Sequence, residues 1–293
     1  MAELQLRDLT PAFGTEITSV DPLAALADAD TCRALRTLFD ERGVLVFRDL
    51  DIDQVTQANL IRMLIGVGPL APGESGSARP AGDPFYVSNK EPNGGAPFGR
   101  LLFHSDMMWS EHTFQVLSLY GVEVEPPVTP TIFASGVEAW NTLPADLRTK
   151  VAGLDALQGH DEAKRAQALD DPDILVTTFE NVETRRTRVG LEHPRTGKTV
   201  LYVSQQMTTA IEGLSPAESE ALLEELFAHL YSSDRLYEHE WRRHDLVAWD
   251  NIAVQHARPN VALDGPVRTL RKVFAPIPPR TANPSKPRFA KAG

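Results

Sequence analysis

The feature of this sequence that most restricts its fold is a series of short apolar segments in the C-terminal two thirds. Each is rich in β-branched and aromatic residues and is followed by turn-forming residues, which is typical of strands rather than helices. We expect strands over residues 101–109, 115–123, 130–135, 174–180, 199–204, 246–250, 252–257 and 267–274. Many short strands favour a mainly β fold, a sandwich or barrel with helices packed outside it.

Helices are expected in fewer places. Residues 31–42 and 53–65 each carry an apolar stripe at helical spacing, and Gly43 is a natural end for the first of them. A capping box with proline at the first helical position starts at Ser215 and predicts a helix that ends near Tyr231. Residues 70–100 are so rich in Gly, Pro, Ser and Asn that we expect a long functional loop there.

Length and local composition predict the domain organisation. The chain of 293 residues is long enough for one large domain, and no linker divides residues 1–275. Residues 276–293 differ, because they contain five prolines, four basic residues and no acid. Since proline cannot donate to a strand ladder, we expect a single domain followed by a loose, extended tail.

Charge and cysteine content exclude several functions. With 29 basic and 40 acidic residues the net charge is −11, which argues against nucleic acid as a partner. The single cysteine, Cys32, excludes a disulfide framework and a thiolate-rich metal site. No secretory signal pattern opens the chain, and no apolar run reaches the roughly 20 residues that span a bilayer. We therefore expect a cytoplasmic protein with no membrane partner.

The first indication of chemistry is the tripeptide His104-Ser105-Asp106. Side chains two residues apart on a strand share a face, so a strand over residues 101–109 would place His104 beside Asp106. Two imidazoles and one carboxylate on one face form the ligand set of non-haem Fe(II), which keeps further positions open. Alone the tripeptide is a weak signal, because a histidine hydrogen-bonded to a neighbouring acid has the same spacing.

A second block supplies a further ligand. His256 ends one predicted strand and Arg268 begins the next, with turn-forming residues 264–266 between them. A guanidinium near a metal can bind a carboxylate through two hydrogen bonds. Lys272 shares the strand face of Arg268, whereas Arg271 lies on the other face.

Together the two blocks resemble the Fe(II)/2-oxoglutarate-dependent dioxygenases of the TauD/TfdA family. The family pattern is His-x-Asp, a long gap, a second His and then an Arg. Here His256 follows His104 by 152 residues, and Arg268 follows His256 by 12. Shorter blocks that also resemble the family are residues 13–17, 43–47, 201–204, 211–215 and 249–251.

The resemblance implies a function and a set of site residues. His104, Asp106 and His256 would hold Fe(II), and Arg268 with Thr131 would bind the distal carboxylate of 2-oxoglutarate. With O₂, the enzyme would couple decarboxylation of 2-oxoglutarate to oxidation of a small substrate. Hydroxylation is the default outcome, and desaturation or oxidative rearrangement stays open. The implied fold is a double-stranded β-helix, the cupin-like jelly roll, with helical additions.

The substrate side departs from taurine dioxygenase itself. Lys272 stands where that enzyme has a second arginine for the acidic group of its substrate. Residues 66–90 contain no histidine, although that enzyme uses one there, so taurine is disfavoured. We expect a small anionic substrate that meets the 70–100 loop and the side chains of Arg100, Lys272, Gln205 and Gln206.

Two functions of other classes stay open at this point. A cupin-type isomerase or hydrolase would use the same triad with Zn²⁺ and without O₂, and a requirement for 2-oxoglutarate separates it from a dioxygenase. A non-catalytic jelly-roll binding module would lack stoichiometric Fe(II) binding. The sequence leaves the identity of the substrate and association into homo-oligomers undetermined.

Overall fold

The computed structural model describes residues 4–19, 21–77, 79–80, 82–160, 169–178, 182–276 and 288–291. The helices in these ranges are α1 (Pro22–Ala27), α2 (Ala29–Arg42), α3 (Gln54–Leu64), α4 (Gly136–Asn141), α5 (Ala145–Val151) and α6 (Pro216–Leu230), with a 3₁₀ turn at Ser233–Arg235. The strands are β1 (Gln5–Asp8), β2 (Thr15–Ser19), β3 (Val44–Phe47), β4 (Tyr86–Ser88), β5 (Gly99–His104), β6 (Val116–Val124), β7 (Thr131–Ser135), β8 (Asp155–Gln158), β9 (Leu175–Thr178), β10 (Arg185–Arg188), β11 (Gly190–Glu192), β12 (Thr199–Leu201), β13 (Thr208–Ile211), β14 (Leu236–His239), β15 (Leu246–Asp250), β16 (Val254–Val261), β17 (Arg268–Ala275) and β18 (Arg288–Lys291).

Two sheets carry the architecture. The larger has seven strands in the order β1-β2-β3-β15-β6-β17-β4, and the smaller has four in the order β14-β7-β16-β5. Side chains from both sheets share one apolar core, in which the Phe133 ring of β7 meets the Trp249 ring of β15 edge-on at 5.3 Å. Two sheets packed through a common core confirm the expected mainly β class.

Helices cover the outer side of the larger sheet. Helices α2 and α3 bury Phe39 and Ile61, among others, in a second core with Leu45 and Phe47 of β3. Each such side chain contributes about 1.5–3 kcal/mol when it is fully buried. The predicted end of α2 is confirmed, since Gly43 follows it with φ +72° in the left-handed region.

The capping box predicted at Ser215 is also confirmed. Ser215 and Glu218 cap each other's backbone N–H groups, and α6 begins at Pro216. Its buried face packs in a third core with α4, α5 and the small sheet β10-β8-β13. None of the helices in the described ranges is long and apolar enough to cross a membrane.

The strand expected over residues 101–109 is wrong at its C-terminal end. Strand β5 stops at His104, and a turn follows in which Met107 takes φ +59°. Asp106 therefore lies beyond the strand, and strand alternation is not what places it beside His104. The physical reason is that the N–H and C=O of Asp106 bond to the side chain of Asn251 instead of to a neighbouring strand.

The predicted tail lies only partly within the described residues. Residues 277–287 are outside them, so the expectation for that part stays a prediction. Residues Arg288–Lys291 form β18, which pairs antiparallel with β9. This end of the tail is therefore an added strand rather than a loose segment.

Candidate active site

Two neighbouring strands of the smaller sheet bring the predicted histidines together. The antiparallel register of β16 with β5 sets His256 opposite His104, and their ring centroids lie 4.1 Å apart. Both residues are buried. The His256 ring also packs against the Trp249 ring at 4.8 Å, so strand pairing and core packing together fix its orientation.

Asp106 joins the histidines from the turn after β5. Its Oδ1 lies 3.3 Å from Nε2 of His104. One ligand atom each from His104, Asp106 and His256 lies within 4.8 Å of the others. The structure therefore brings the three predicted metal ligands together, with a turn rather than a continuous strand supplying the carboxylate.

The three side chains fit a divalent metal ion. The Leu102 carbonyl oxygen lies 2.8 Å from Nδ1 of His104. Because a carbonyl only accepts, Nδ1 carries the proton and Nε2 offers its lone pair. Nε2 and the Asp106 carboxylate then face each other as two electron-pair donors, an arrangement that a shared cation satisfies. His256 adds a buried Nδ1 with no hydrogen-bond partner among the described residues.

Local electrostatics favour the protonation states that bind metal. Burial opposes ionisation of Asp106, but attraction to the Lys272 ammonium outweighs it, and the pKa of Asp106 lies well below its usual value. Burial and the neighbouring His104 lower the pKa of His256 well below its usual value. An ionised carboxylate and a neutral imidazole are the ligand forms that a metal requires.

Lys272 has an acidic partner that sequence reasoning did not identify. It projects from β17, and its Nζ forms a short ion pair with Oδ2 of Asp106. The same Nζ lies 6.0 Å from the centre of the Phe85 ring, which belongs to the 70–100 loop. Lys272 thus lies beside the triad and already has an acidic partner within the protein.

Arg268 is buried at the start of β17, and we call the groups around its guanidinium the Arg268 pocket. Its Nη2 donates to Oγ1 of Thr131 at 3.0 Å, and its Nε donates to the Thr129 carbonyl oxygen at 3.0 Å. The indole N–H of Trp241 donates to the same Thr131 oxygen at 3.0 Å. The structure therefore places Thr131 beside Arg268, at the position that the resemblance implied.

The Arg268 pocket holds positive charge that no acid of the described residues neutralises. Arg268 is 3% exposed, and no carboxylate of the described residues pairs with it. Arg258, which is buried two residues after His256, adds a second guanidinium nearby. Burial, together with repulsion from Arg258, lowers the pKa of Arg268 well below its usual value. A buried cation in this state is costly, and a bound carboxylate would balance it.

The other predicted substrate residues lie at different depths. Arg100 is on β5, with an exposed guanidinium that pairs with Asp171 at 2.7 Å. Gln206 is buried, and its backbone N–H donates at 3.2 Å to the carbonyl of Phe103, the neighbour of His104. Gln205 is half-buried. The structure brings Gln206 against the strand of His104 and leaves Arg100 at the surface.

Two side chains at the site were not predicted from the sequence. Asn251 contacts Asp106. Its polar amide, which lies between the buried strand β15 and His256, is a sequence signal by which it could have been predicted. Trp241 reaches Thr131 across 110 residues of chain. No local sequence pattern predicts this contact, because it arises only from the pairing of β7 with β14.

Comparison with known proteins places these residues in a family context. The model of the family described as taurine catabolism dioxygenase TauD, TfdA family matches residues 5–274. The alpha-ketoglutarate-dependent 2,4-dichlorophenoxyacetate dioxygenase of Cupriavidus pinatubonensis is 28% identical over 263 residues, which cover 85% of this chain and 89% of that relative.

Solved structures share the fold. AAD-2 in complex with Mn(II) and N-oxalylglycine aligns with a TM-score of 0.72 and 22% identity, over 93% of this chain and 96% of that one. A taurine dioxygenase from Burkholderia xenovorans also gives 0.72 and 22%, over 99% and 97%. The fold is therefore the jelly roll of these enzymes, and the family match spans the whole candidate site. The chain belongs to the TauD/TfdA family of Fe(II)- and 2-oxoglutarate-dependent dioxygenases.

Proposed function

We propose that the triad and the Arg268 pocket are the two halves of one active site. His104, Asp106 and His256 bind Fe(II), and Arg268 with Thr131 binds the distal carboxylate of 2-oxoglutarate. The observation that carries this proposal is the buried Arg268 guanidinium, which pairs with no acid in the part of the chain that the structure describes. Thr131 is two residues from Phe133, which pairs with His256. Two strand residues span about 6.6 Å, a length that suits a five-carbon dicarboxylate.

The residues of the pocket have defined parts in binding. Arg268 balances the carboxylate charge in a site that excludes water, where such a pair is strong. Thr131 Oγ1 already accepts from Arg268 and Trp241. Its own O–H is therefore left to donate, and a ligand carboxylate is a suitable acceptor. Fe(II), when bound, supplies the coupling of 2-oxoglutarate decarboxylation to substrate oxidation by O₂.

The substrate proposal is a small anion with an apolar part. A metal bound to Asp106 takes over the negative charge that otherwise neutralises Lys272, so a substrate anion would then balance this ammonium. The Phe85 ring beside Lys272 offers an apolar surface, and the guanidinium of Arg79 lies 5.0 Å from the centre of that ring. A relative named for 2,4-dichlorophenoxyacetate, an aromatic carboxylate, supports this substrate class.

Arg100, Gln205 and Gln206 stay predictions as substrate contacts. Arg100 would have to leave Asp171 to bind an anion, whereas Gln206 lies against the strand of His104. We also infer that residues 1–275 form one dioxygenase domain, which the family match over residues 5–274 supports. We further propose a cytoplasmic enzyme without a membrane partner, and the net charge of −11 supports the absence of a nucleic-acid partner.

The experiment is a screen for succinate released from 2-oxoglutarate by the Fe(II)-loaded protein in air. Aryloxyalkanoates, other small carboxylates, amino acids and phosphonates are compared with matched neutral amides. We expect an acid to stimulate succinate release and its amide to fail. Mass analysis of the product then separates hydroxylation from desaturation or rearrangement. Stimulation by neutral compounds alone would contradict the anionic substrate class, and metal binding without any 2-oxoglutarate binding would contradict the dioxygenase site.

A further inference from the structure

The side chain of Asn251 makes three hydrogen bonds to backbone groups of Asp106 and Phe114. Its Oδ1 accepts from the Asp106 N–H at 2.9 Å. Its Nδ2 donates to the Asp106 carbonyl at 2.9 Å and to the Phe114 carbonyl at 3.1 Å. Asn251 has no exposed surface. The amide therefore bonds to both the N–H and the C=O of Asp106, the residue that carries the predicted carboxylate ligand.

Asp106 needs these hydrogen bonds because it lies beyond β5 and does not pair with a neighbouring strand. The β5–β16 register ends with His104 opposite His256, and the left-handed φ of Met107 turns the chain away. The N–H and C=O of the partly buried Asp106 would otherwise lack these partners, at a cost of up to about 1–3 kcal/mol each. Two hydrogen bonds to one planar amide hold the two peptide groups that flank Asp106 in a fixed orientation.

The backbone around Asn251 is itself held by hydrogen bonds. Its N–H donates to the Gln115 carbonyl at 3.1 Å. The preceding Asp250 accepts from the N–H groups of Ile252 and Ala253, each at 3.0 Å, and from Nε2 of His193 at 3.0 Å. These bonds shape the turn between β15 and β16, so the amide is presented to Asp106 in one orientation.

We propose that Asn251 is a positioning residue that sets the affinity and geometry of the metal site through the backbone of Asp106. The proposal rests on the proposed function, because it takes the triad as the metal site. Asn251 itself binds no ligand. It aligns the Asp106 carboxylate with the two imidazoles before metal arrives, so that less ordering is needed on binding.

Asn89 offers a matched control. It is also a buried asparagine with three backbone bonds, since its Oδ1 accepts from the Arg268 N–H at 3.0 Å, and its Nδ2 donates to the carbonyls of Ala262 at 3.1 Å and Pro266 at 2.9 Å. It supports the Arg268 pocket and touches no triad residue. A general loosening of the fold would follow from removing either asparagine, whereas a positioning effect on the metal would follow only from removing Asn251.

The experiment measures Mn(II) affinity by calorimetry, and the visible absorption of the Co(II)-substituted protein, for wild type, Asn251→Ala and Asn89→Ala. We expect Asn251→Ala to weaken Mn(II) binding by about 10–100-fold, as for other partners of metal ligands, and to alter the Co(II) spectrum. Asn89→Ala should leave both unchanged. Equal Mn(II) affinity in wild type and Asn251→Ala, or an equal loss in both variants, would overturn the proposal. Wild-type protein that binds no Mn(II) would instead overturn the proposed function.

A second measurement covers the case in which Asn251→Ala fails to fold. Amide hydrogen exchange of the metal-free wild-type protein reports directly on the Asp106 N–H. We expect this N–H to be protected to the same degree as the β15 amides, because Asn251 holds it. Exchange as fast as that of an exposed loop amide would show that Asn251 does not hold Asp106, and the proposal would fall.

Discussion

The triad and the Arg268 pocket are neighbours, yet they hold buried charge in opposite ways. At the triad the Asp106 carboxylate meets the Lys272 ammonium, so the charges compensate each other within the protein. In the Arg268 pocket the guanidinium donates to a hydroxyl and a carbonyl, and it is repelled by the like charge of Arg258. Asp106 and Lys272 neutralise each other within the fold, whereas no acid of the described residues pairs with Arg268.

This difference has opposite consequences for folding and binding. Removing one member of a compensated buried pair leaves the other uncompensated and destabilises the fold. Removing an uncompensated buried cation relieves a desolvation cost, even though it destroys a binding site. Stability and ligand affinity should therefore change together at the triad and independently at Arg268.

The largest effect is expected from Asp106→Ala. Loss of the carboxylate leaves an incomplete metal shell, so substrate-dependent succinate release should become undetectable. The metal-free protein should also lose stability, by up to about 3 kcal/mol, because Lys272 loses its partner. Chemical denaturation of Asp106→Ala and of the Asp106→Ala/Lys272→Met double variant checks this. The double variant should recover stability without recovering turnover, and near-normal turnover in either protein would remove Asp106 from the ligand set.

A large effect confined to binding is expected from Arg268→Met. The KM for 2-oxoglutarate should rise steeply, since a desolvated charge pair is worth about 2–5 kcal/mol, or roughly 30-fold to several thousand-fold. The Tm of the ligand-free protein should stay constant or rise, in contrast to Asp106→Ala. Steady-state kinetics and thermal unfolding give the two numbers, with Mn(II) affinity as the control. An unchanged KM would place the 2-oxoglutarate anchor elsewhere.

An intermediate effect is expected from Lys272→Met on the true substrate. The substrate KM should rise while the KM for 2-oxoglutarate is retained, because Lys272 contacts the triad and not the Arg268 pocket. Arg100→Ala is the matched control: its exposed ion pair with Asp171 is worth at most about 1 kcal/mol. If Arg100→Ala raises the substrate KM more than Lys272→Met does, the two assignments must be exchanged.

The smallest effect is expected from Thr131→Val, which keeps the shape and removes one hydroxyl. Loss of a hydrogen bond costs about 1 kcal/mol, so the KM for 2-oxoglutarate should rise about fivefold. Thr129→Val is the control, because Thr129 offers Arg268 only its backbone carbonyl. A similar rise in both variants would mean that the Thr131 hydroxyl has no contact with the ligand.

The sequence by itself determined the mainly β class, the end of α2 before Gly43, the bounds of α6 and the set of residues that we propose bind the metal. The metal residues were predicted from a family pattern in which His256 follows His104 by 152 residues. The fold class and the helix bounds depend on local rules: apolar periodicity, a capping box around Ser215 and a helix end at Gly43. Such rules act over a few residues and do not depend on how distant elements pack.

Tertiary structure alone decided how the site is assembled. Alternation on one strand was the wrong explanation for His104 and Asp106, because the amide of Asn251, 145 residues away, replaces the sheet as the partner of Asp106. The ion pair of Lys272 with Asp106 and the contact of Trp241 with Thr131 also join residues that are distant in the chain. A buried polar group must be satisfied, but the sequence does not say by which partner; only the packing of the two sheets selects it.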